Sequence, residues 1–130
     1  MKKVYLAGPI NGRSDQEVFG WRREAAEALS GFEVIDPARR DFRGLERSSA
    51  CDIVELDKKD IDSCDILLAY AVTPSVGTSM EVLYAHAHPL KKTVVVVLSK
   101  NASPWLIYHS DYQVGSLSEA VQLIKELQPA

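Results

Sequence analysis

Cysteine is scarce. Only Cys51 and Cys64 occur in 130 residues, and neither belongs to a C-x-x-C pair or a Cys/His cluster. That excludes a disulfide framework and a zinc ribbon. A basic excess is missing as well: 15 lysines and arginines meet 18 aspartates and glutamates, for a formal net charge of -3. A nucleic-acid polymer, which is held by surplus cations on one face, is therefore not an expected partner. Long hydrophobic runs are absent. Ile66–Val72 and Thr93–Leu98 fall far short of the roughly 20 apolar residues that cross a bilayer, so no membrane partner is expected either. The chain enters its first apolar run at Val4 without the charged start, long apolar stretch and cleavage site of a signal peptide. The expectation is a cytoplasmic protein with reduced thiols. Seven glycines and six prolines are too few for a collagen-like or low-complexity chain.

What is present suits one globular domain over residues 1–130, with 46% hydrophobic and 25% charged residues. A chain of this length buries about two-thirds of its unfolded surface and needs no metal or disulfide staple. Short β-rich runs alternate with amphipathic stretches. Lys3–Ala7 reads as a strand stopped by Gly8-Pro9. Ser14 caps a helix through Val18, Trp21, Ala25 and Leu29, which Ser30-Gly31 ends. Phe32–Ile35 is a second strand, and Ala38–Arg47 a charged surface loop. Ile53, Leu56, Ile61 and Cys64 recur at helical spacing between Ser49 and Ser63. Asp65–Ala71 is a buried strand, Gly77–His88 a helix and Val94–Leu98 another buried strand. Lys100–Pro104 is a loop, Trp105–Ser110 a short helix, Tyr112–Val114 an edge strand and Ser116–Leu127 a last helix. Continuously apolar central strands separated by helices predict an α/β fold: a flavodoxin-like or Rossmann-like doubly wound parallel sheet of about five strands. Ligands of such sheets bind beyond the carboxyl ends of the strands, which points to Gly8–Arg13, Thr73–Glu81 and Ser99–Pro104.

The first of these loops holds Gly8, Ile10, Asn11 and Gly12. It matches neither a dinucleotide fingerprint nor a phosphate-binding G-x-x-x-x-G-K-[ST] loop, but its glycines permit close backbone approach and a helix follows. In the second, Thr78 and Glu81 carry the S/T-x-x-E signature of a capping box. The same glutamate, in the first turn of a helix at the sheet edge, is alternatively a carboxylate kept ionised by the helix dipole and facing a pocket. Such a group attacks an anomeric carbon in retaining glycosidases. Asp57 lies four residues from both Ile53 and Ile61 and so projects from an apolar stripe, where a carboxylate needs a partner. Paired carboxylates are what glycosyl transfer uses. Tyr5, inside the first strand, reads as core with a phenol that needs a hydrogen-bond partner. His86, His88 and His109 lack metal-ligand spacing. Lys58, Lys59, Asp60 and Asp62 read as solvated charges, as does the run Arg39, Arg40, Arg43 and Arg47.

Val4-Tyr5-Leu6-Ala7-Gly8-Pro9-Ile10, then Leu56-Asp57 before Cys64-Asp65, then Gly77-Thr78-x-x-Glu81 with Tyr84-Ala85, resembles the nucleoside 2-deoxyribosyltransferase family, which includes nucleoside 5'-monophosphate N-glycosidases. The resemblance implies that Glu81 is the nucleophile, that Asp57 binds a sugar hydroxyl and orients it, and that Tyr5 lies beside it. It implies a base and sugar bordered by the loop after Gly8, no cofactor and no metal. It also implies a homodimer or larger assembly in which a loop of one subunit, here Lys100–Pro104 with Ser103, closes its neighbour's pocket. Nucleoside-preferring members carry an aspartate six residues before the nucleophile. This chain has Ser75 there, as the nucleotide hydrolases do, and a hydroxyl beside Gly77 and Thr78 amides accepts a phosphate dianion that an aspartate repels. The expectation is an enzyme that cleaves the N-glycosidic bond of a nucleoside 5'-monophosphate. Transfer of deoxyribose between bases is the alternative, and a non-catalytic nucleotide-binding module the third reading.

Overall fold

Four successive valines, Val94–Val97, are completely buried. A strand with apolar side chains on both faces stays dry only where both faces are covered, and the rest of the architecture supplies that cover. The computed structural model describes residues 1–127; the last three residues of the expected domain, Gln128, Pro129 and Ala130, lie outside the described residues. In chain order the elements are β1 (Lys3–Ala7), α1 (Asp15–Ala28), β2 (Glu33–Ile35), a 3-10 turn (Pro37–Arg39), α2 (Ala50–Ser63), β3 (Ile66–Ala71), α3 (Val76–His86), β4 (Thr93–Leu98), α4 (Pro104–Tyr108), β5 (Tyr112–Val114) and α5 (Leu117–Leu127). The strands form one all-parallel sheet in the order β2-β1-β3-β4-β5, the expected doubly wound α/β arrangement. Among the described residues no helix is long and apolar enough to cross a membrane.

Strand alternation divides the interior into two cores. Val4, Leu6, Ile66, Leu68, Val95 and Val97 point to one face, where Trp21, Ala25 and Leu29 of the α1 region and Ala120, Val121 and Ile124 of α5 cover them. Tyr5, Ala7, Leu67, Ala69, Val94 and Val96 point to the other, under Ile61 of α2 and Val82 and Ala85 of α3. Tyr5 is thus sent toward α2 and α3 by the period-two pleat of β1 alone.

Two features shape the carboxyl edge of the sheet. The chain leaves β1 toward β2 on one side and later returns to β3 on the other, so a crevice opens between the ends of β1 and β3. Beside the ends of β1 and β2 lies Arg22 of α1, only 1% exposed. Its Nη1 donates to Leu6 O at 3.2 Å and Asp36 Oδ1 at 2.8 Å, and its Nη2 to Gly8 O at 2.8 Å. This one guanidinium ties the ends of β1 and β2 together. Gly8 is required there by packing, because a Cβ at this position would lie 2.4 Å from Trp21 Cζ2. Gly12 turns the loop with φ of 69°, a conformation most side chains resist.

The helix starts divide between agreement and correction. Ser14 caps α1 as expected and does so in a complete capping box: its Oγ accepts from Glu17 N at 3.2 Å, and Glu17 Oε1 accepts from Ser14 N at 3.1 Å. The box expected from Thr78 and Glu81 does not form. The N-cap of α3 is Ser75, whose Oγ accepts from Thr78 N at 3.3 Å. The helix therefore begins at Val76, and Glu81 sits in its second turn, below the positive end. The segment Ala38–Arg47 is also more ordered than a solvated loop. Asp36 caps the 3-10 turn by accepting from Ala38 N at 2.9 Å, and Arg39, Arg40 and Arg43 all engage carboxylates. Pro104, expected as the end of a loop, is the first residue of α4, capped by Ser103.

Candidate active site

A cavity of about 340 Å³ fills the crevice between β1 and β3, lined by Gly8–Asn11, Asp57, Ser75, Gly77, Thr78 and Glu81 among others. It brings together residues of α2, α3 and the 3-10 turn and of the loops that follow β1, β2 and β3. Gly12 lies in the first loop but does not line the cavity. Ser103 borders a second cavity of about 530 Å³, which shares Ser75, Val76 and Thr78 with the first.

Glu81 is half-buried, and the hydroxyl of the fully buried Tyr5 donates a hydrogen bond to its Oε2. Its other oxygen makes no hydrogen bond among the described residues. One oxygen is thus fixed from beneath while the carboxylate edge stays open to the cavity. Burial, helped by the nearby Asp57 charge, pushes the Glu81 carboxyl up to about 8, against the opposing pull of the Tyr5 bond and the buried Arg22. The expectation that a helix dipole keeps this group ionised is therefore corrected. One turn into the helix, desolvation outweighs the dipole, which acts mainly on the first turn. Burial and the Glu81 and Asp57 charges drive the Tyr5 phenol far above its ordinary range. It remains a neutral donor at any working pH.

Asp57 projects from α2 into the same cavity and is half-buried. Burial raises its pKa, opposed chiefly by Arg40, whose Nη2 donates to Asp57 Oδ1 at 3.2 Å. Glu81 takes its hydrogen bond from Tyr5, and the partner of Asp57 is Arg40; the two carboxylates make no hydrogen bond with each other among the described residues.

At the other end of the cavity the start of α3 presents donors. The Ser75 Oγ accepts from both Thr78 N and Thr78 Oγ1, at 3.3 and 3.1 Å. Among the described residues the Ser75 hydroxyl donates to no other group. The backbone N–H groups of Val76 and Gly77 belong to the first turn and have no intrahelical acceptor.

Arg13, the last residue of the loop singled out after β1, also lines the cavity, as do Ile53 of the α2 stripe and Arg40 and Phe42, the last two in a segment that reads from sequence as a solvated surface loop. A signal existed. The loop after β2 leaves the same carboxyl edge as the loops after β1 and β3, so the strand-end rule that selected those loops applies to Arg40 as well.

The model of the family described as nucleoside 2-deoxyribosyltransferase matches residues 4–126. No curated protein sequence matches the chain. Among solved structures it is similar to a conserved protein of Enterococcus faecalis V583, with a TM-score of 0.72 and 17% identity over 98% of this chain and 99% of that one. It is similar to a 2-deoxyribosyltransferase of Bacillus psychrosaccharolyticus, with a TM-score of 0.71 and 16% identity over 90% of this chain and 88% of that one. A 2-deoxyribosyltransferase of Leishmania mexicana gives 0.69 and 19%, over 97% and 98%. At these identities the structural likeness speaks to the fold.

Proposed function

This chain belongs to the nucleoside 2-deoxyribosyltransferase family, and on that footing we propose that it is a retaining N-glycosidase acting on nucleoside 5'-monophosphates. The observation that carries the reading is the Tyr5–Glu81 pair: a half-buried carboxylate with one oxygen held by a buried phenol and its edge facing a cavity. In this reading the Glu81 carboxylate attacks C1' of the sugar. The C1'–N bond breaks, and the base departs with the bonding pair and takes up a proton. Water then attacks C1', loses a proton and releases the Glu81 carboxylate with the sugar phosphate. Asp57 accepts from a sugar hydroxyl. Burial that raises the basicity of Glu81 also strengthens it as a nucleophile once ionised.

Ser75 and Gly77 support a phosphate at the start of α3, since a dianion there gains charge-assisted hydrogen bonds from the Ser75 hydroxyl and the Val76 and Gly77 amides, while Thr78, which donates to Ser75 Oγ, holds that hydroxyl in place. Gly8, Ile10 and Asn11 border the sugar and base. A homodimer or larger, with Ser103 facing a neighbour's pocket, and a cytoplasmic setting complete the proposal. The deoxyribosyltransferase reading has support of its own in the two solved relatives described by that activity. Incubation with a panel of nucleosides and 5'-monophosphates, with and without an acceptor base, separates them when free base and new nucleoside are followed by chromatography. Base release from monophosphates without acceptor is the expected result. Turnover only with an acceptor base moves the assignment to the transferase.

A further inference from the structure

The arginine-rich segment after β2 has a chain of contacts running through it that ends at the site. Buried Arg22 holds Asp36 at 2.8 Å. Asp36 caps the 3-10 turn through Ala38 N. The turn closes with Arg40 N donating to Pro37 O at 3.1 Å, which sets the Arg40 side chain over α2. There its Nη2 bridges Asp57 Oδ1 at 3.2 Å and Asp60 Oδ2 at 2.8 Å. Arg40 itself is half-buried and lines the cavity. Each link fixes the next, so the guanidinium arrives at Asp57 with little freedom left to lose.

We infer that Arg40 is a positioning residue: it holds the Asp57 carboxylate in place and charged at the cavity wall, beside a second carboxylate that would otherwise displace or neutralise it. Asp57 is faced by Asp60 from its own helix, by Arg40 from the segment after β2, by Arg22 from α1, by Tyr5 from β1 and by Glu81 from α3. Of these only the two arginines favour its anion, and only Arg40 bonds to it. Two carboxylates in one cavity do not both ionise readily without such a countercharge. The role in turnover rests on the glycosidase reading above; the effect on Asp57 itself does not.

The test uses the full chain with Arg40→Gln, Arg40→Lys and Asp60→Asn. Carboxyl-labelled aspartate followed by NMR reads the Asp57 titration directly, and kcat/KM against pH on a deoxynucleoside 5'-monophosphate reads its consequence. Arg40→Gln is expected to raise the Asp57 midpoint by about one pH unit and to lower kcat by roughly tenfold or more. Arg40→Lys, which keeps the charge without the planar fork, should recover part of both and guards against a glutamine variant that does not fold. Asp60→Asn breaks the bridges from α2 to Arg39 and Arg40 that involve Asp60 but spares the Arg40–Asp57 bond. It should leave kcat within about twofold, because Asp60 does not line the cavity and the Arg40–Asp57 bond remains. An unmoved Asp57 midpoint in Arg40→Gln overturns the inference, and so does an Asp60→Asn variant as damaged as Arg40→Gln, since that pattern marks a merely structural tie. If wild type turns over no nucleotide or nucleoside while the Asp57 midpoint still follows Arg40, the glycosidase reading fails and the inference stands.

Discussion

The Glu81 carboxyl binds its proton more tightly in the folded chain than in the unfolded one, because burial lifts it from an ordinary 4.5 to about 8. Between those values the folded state carries the extra proton, so raising the pH through this window withdraws stability. Carboxylates held low by partners, such as Asp41 beside Arg43 and Asp62 beside Tyr84, act in the opposite sense, and their contribution is complete above about pH 5. Thermal melts of wild type and Glu81→Gln from pH 5 to pH 8 should therefore diverge, with the glutamine variant the more stable at pH 8. Parallel curves would show that Glu81 is solvated. The same variant should be inactive, because an amide is not a nucleophile. In wild type, kcat/KM should climb with pH as Glu81 ionises in the free protein, with its acidic limb near 8. A limb near 4 to 5, the ordinary carboxylate range, would contradict the environment described for Glu81.

Helix α3 has two tasks at its start, and Ser75 is where they meet. Its oxygen caps the helix through Thr78 N, and the residue lines the cavity. Aspartate is as good an N-cap as serine, so Ser75→Asp should melt within about 0.5 kcal/mol of wild type while placing a negative charge where a phosphate would bind. Wild type is expected to prefer a deoxynucleoside 5'-monophosphate over the matching nucleoside by at least about tenfold in kcat/KM, since each charge-assisted bond contributes roughly 1.5–3 kcal/mol. Ser75→Asp should reverse that preference. Direct competition between the two substrates decides it. A wild type that prefers the nucleoside assigns the chain to the nucleoside transferases instead.

For the molecule as a whole, the outer faces of α3 and α4 are the conspicuous surface. Val76 and Met80 are 79% and 64% exposed, and Trp105 and Tyr108 are 70% and 75% exposed. Large apolar side chains gathered beside a cavity mark an interaction site more often than a bare surface. A second copy of this chain is the proposed occupant, with Ser103, the cap of α4, carried to the neighbouring pocket. Light scattering at micromolar concentration should report at least a dimer, and Trp105→Glu should shift it toward monomer with loss of turnover. A clean wild-type monomer with full activity would remove both the interface and the shared pocket.

Sequence by itself determined whatever depends on near neighbours. The runs Ile66–Ala69 and Val94–Val97 are short, apolar at every position and, in the second case, entirely β-branched, the pattern of strands covered on both sides. Ser14 and Glu17 lie three residues apart before an amphipathic stretch and form the box such a pair makes. The period of β1 sends Tyr5 and Leu6 to opposite faces. Local code failed where two local solutions overlap: Thr78-x-x-Glu81 carries the full capping-box signature, Ser75 is only an N-cap residue type, and yet Ser75 is the cap. In the folded chain the helix starts one turn earlier than that box implies, with Ser75 as the cap and Thr78 buried to 2% exposure within the helix. That one-turn difference moved Glu81 away from the helix dipole and into the desolvated crevice, which reverses the sign of its expected pKa shift. Arg40 shows the same limit. Its partners lie 17 and 20 residues away, and in the chain it looks like any arginine of a charged loop. Conformational preference is set within about four residues, whereas the charge state and partners of a side chain are set by whatever the fold brings against it. The elements were therefore legible in the sequence, and the electrostatics of the site belonged to the tertiary structure.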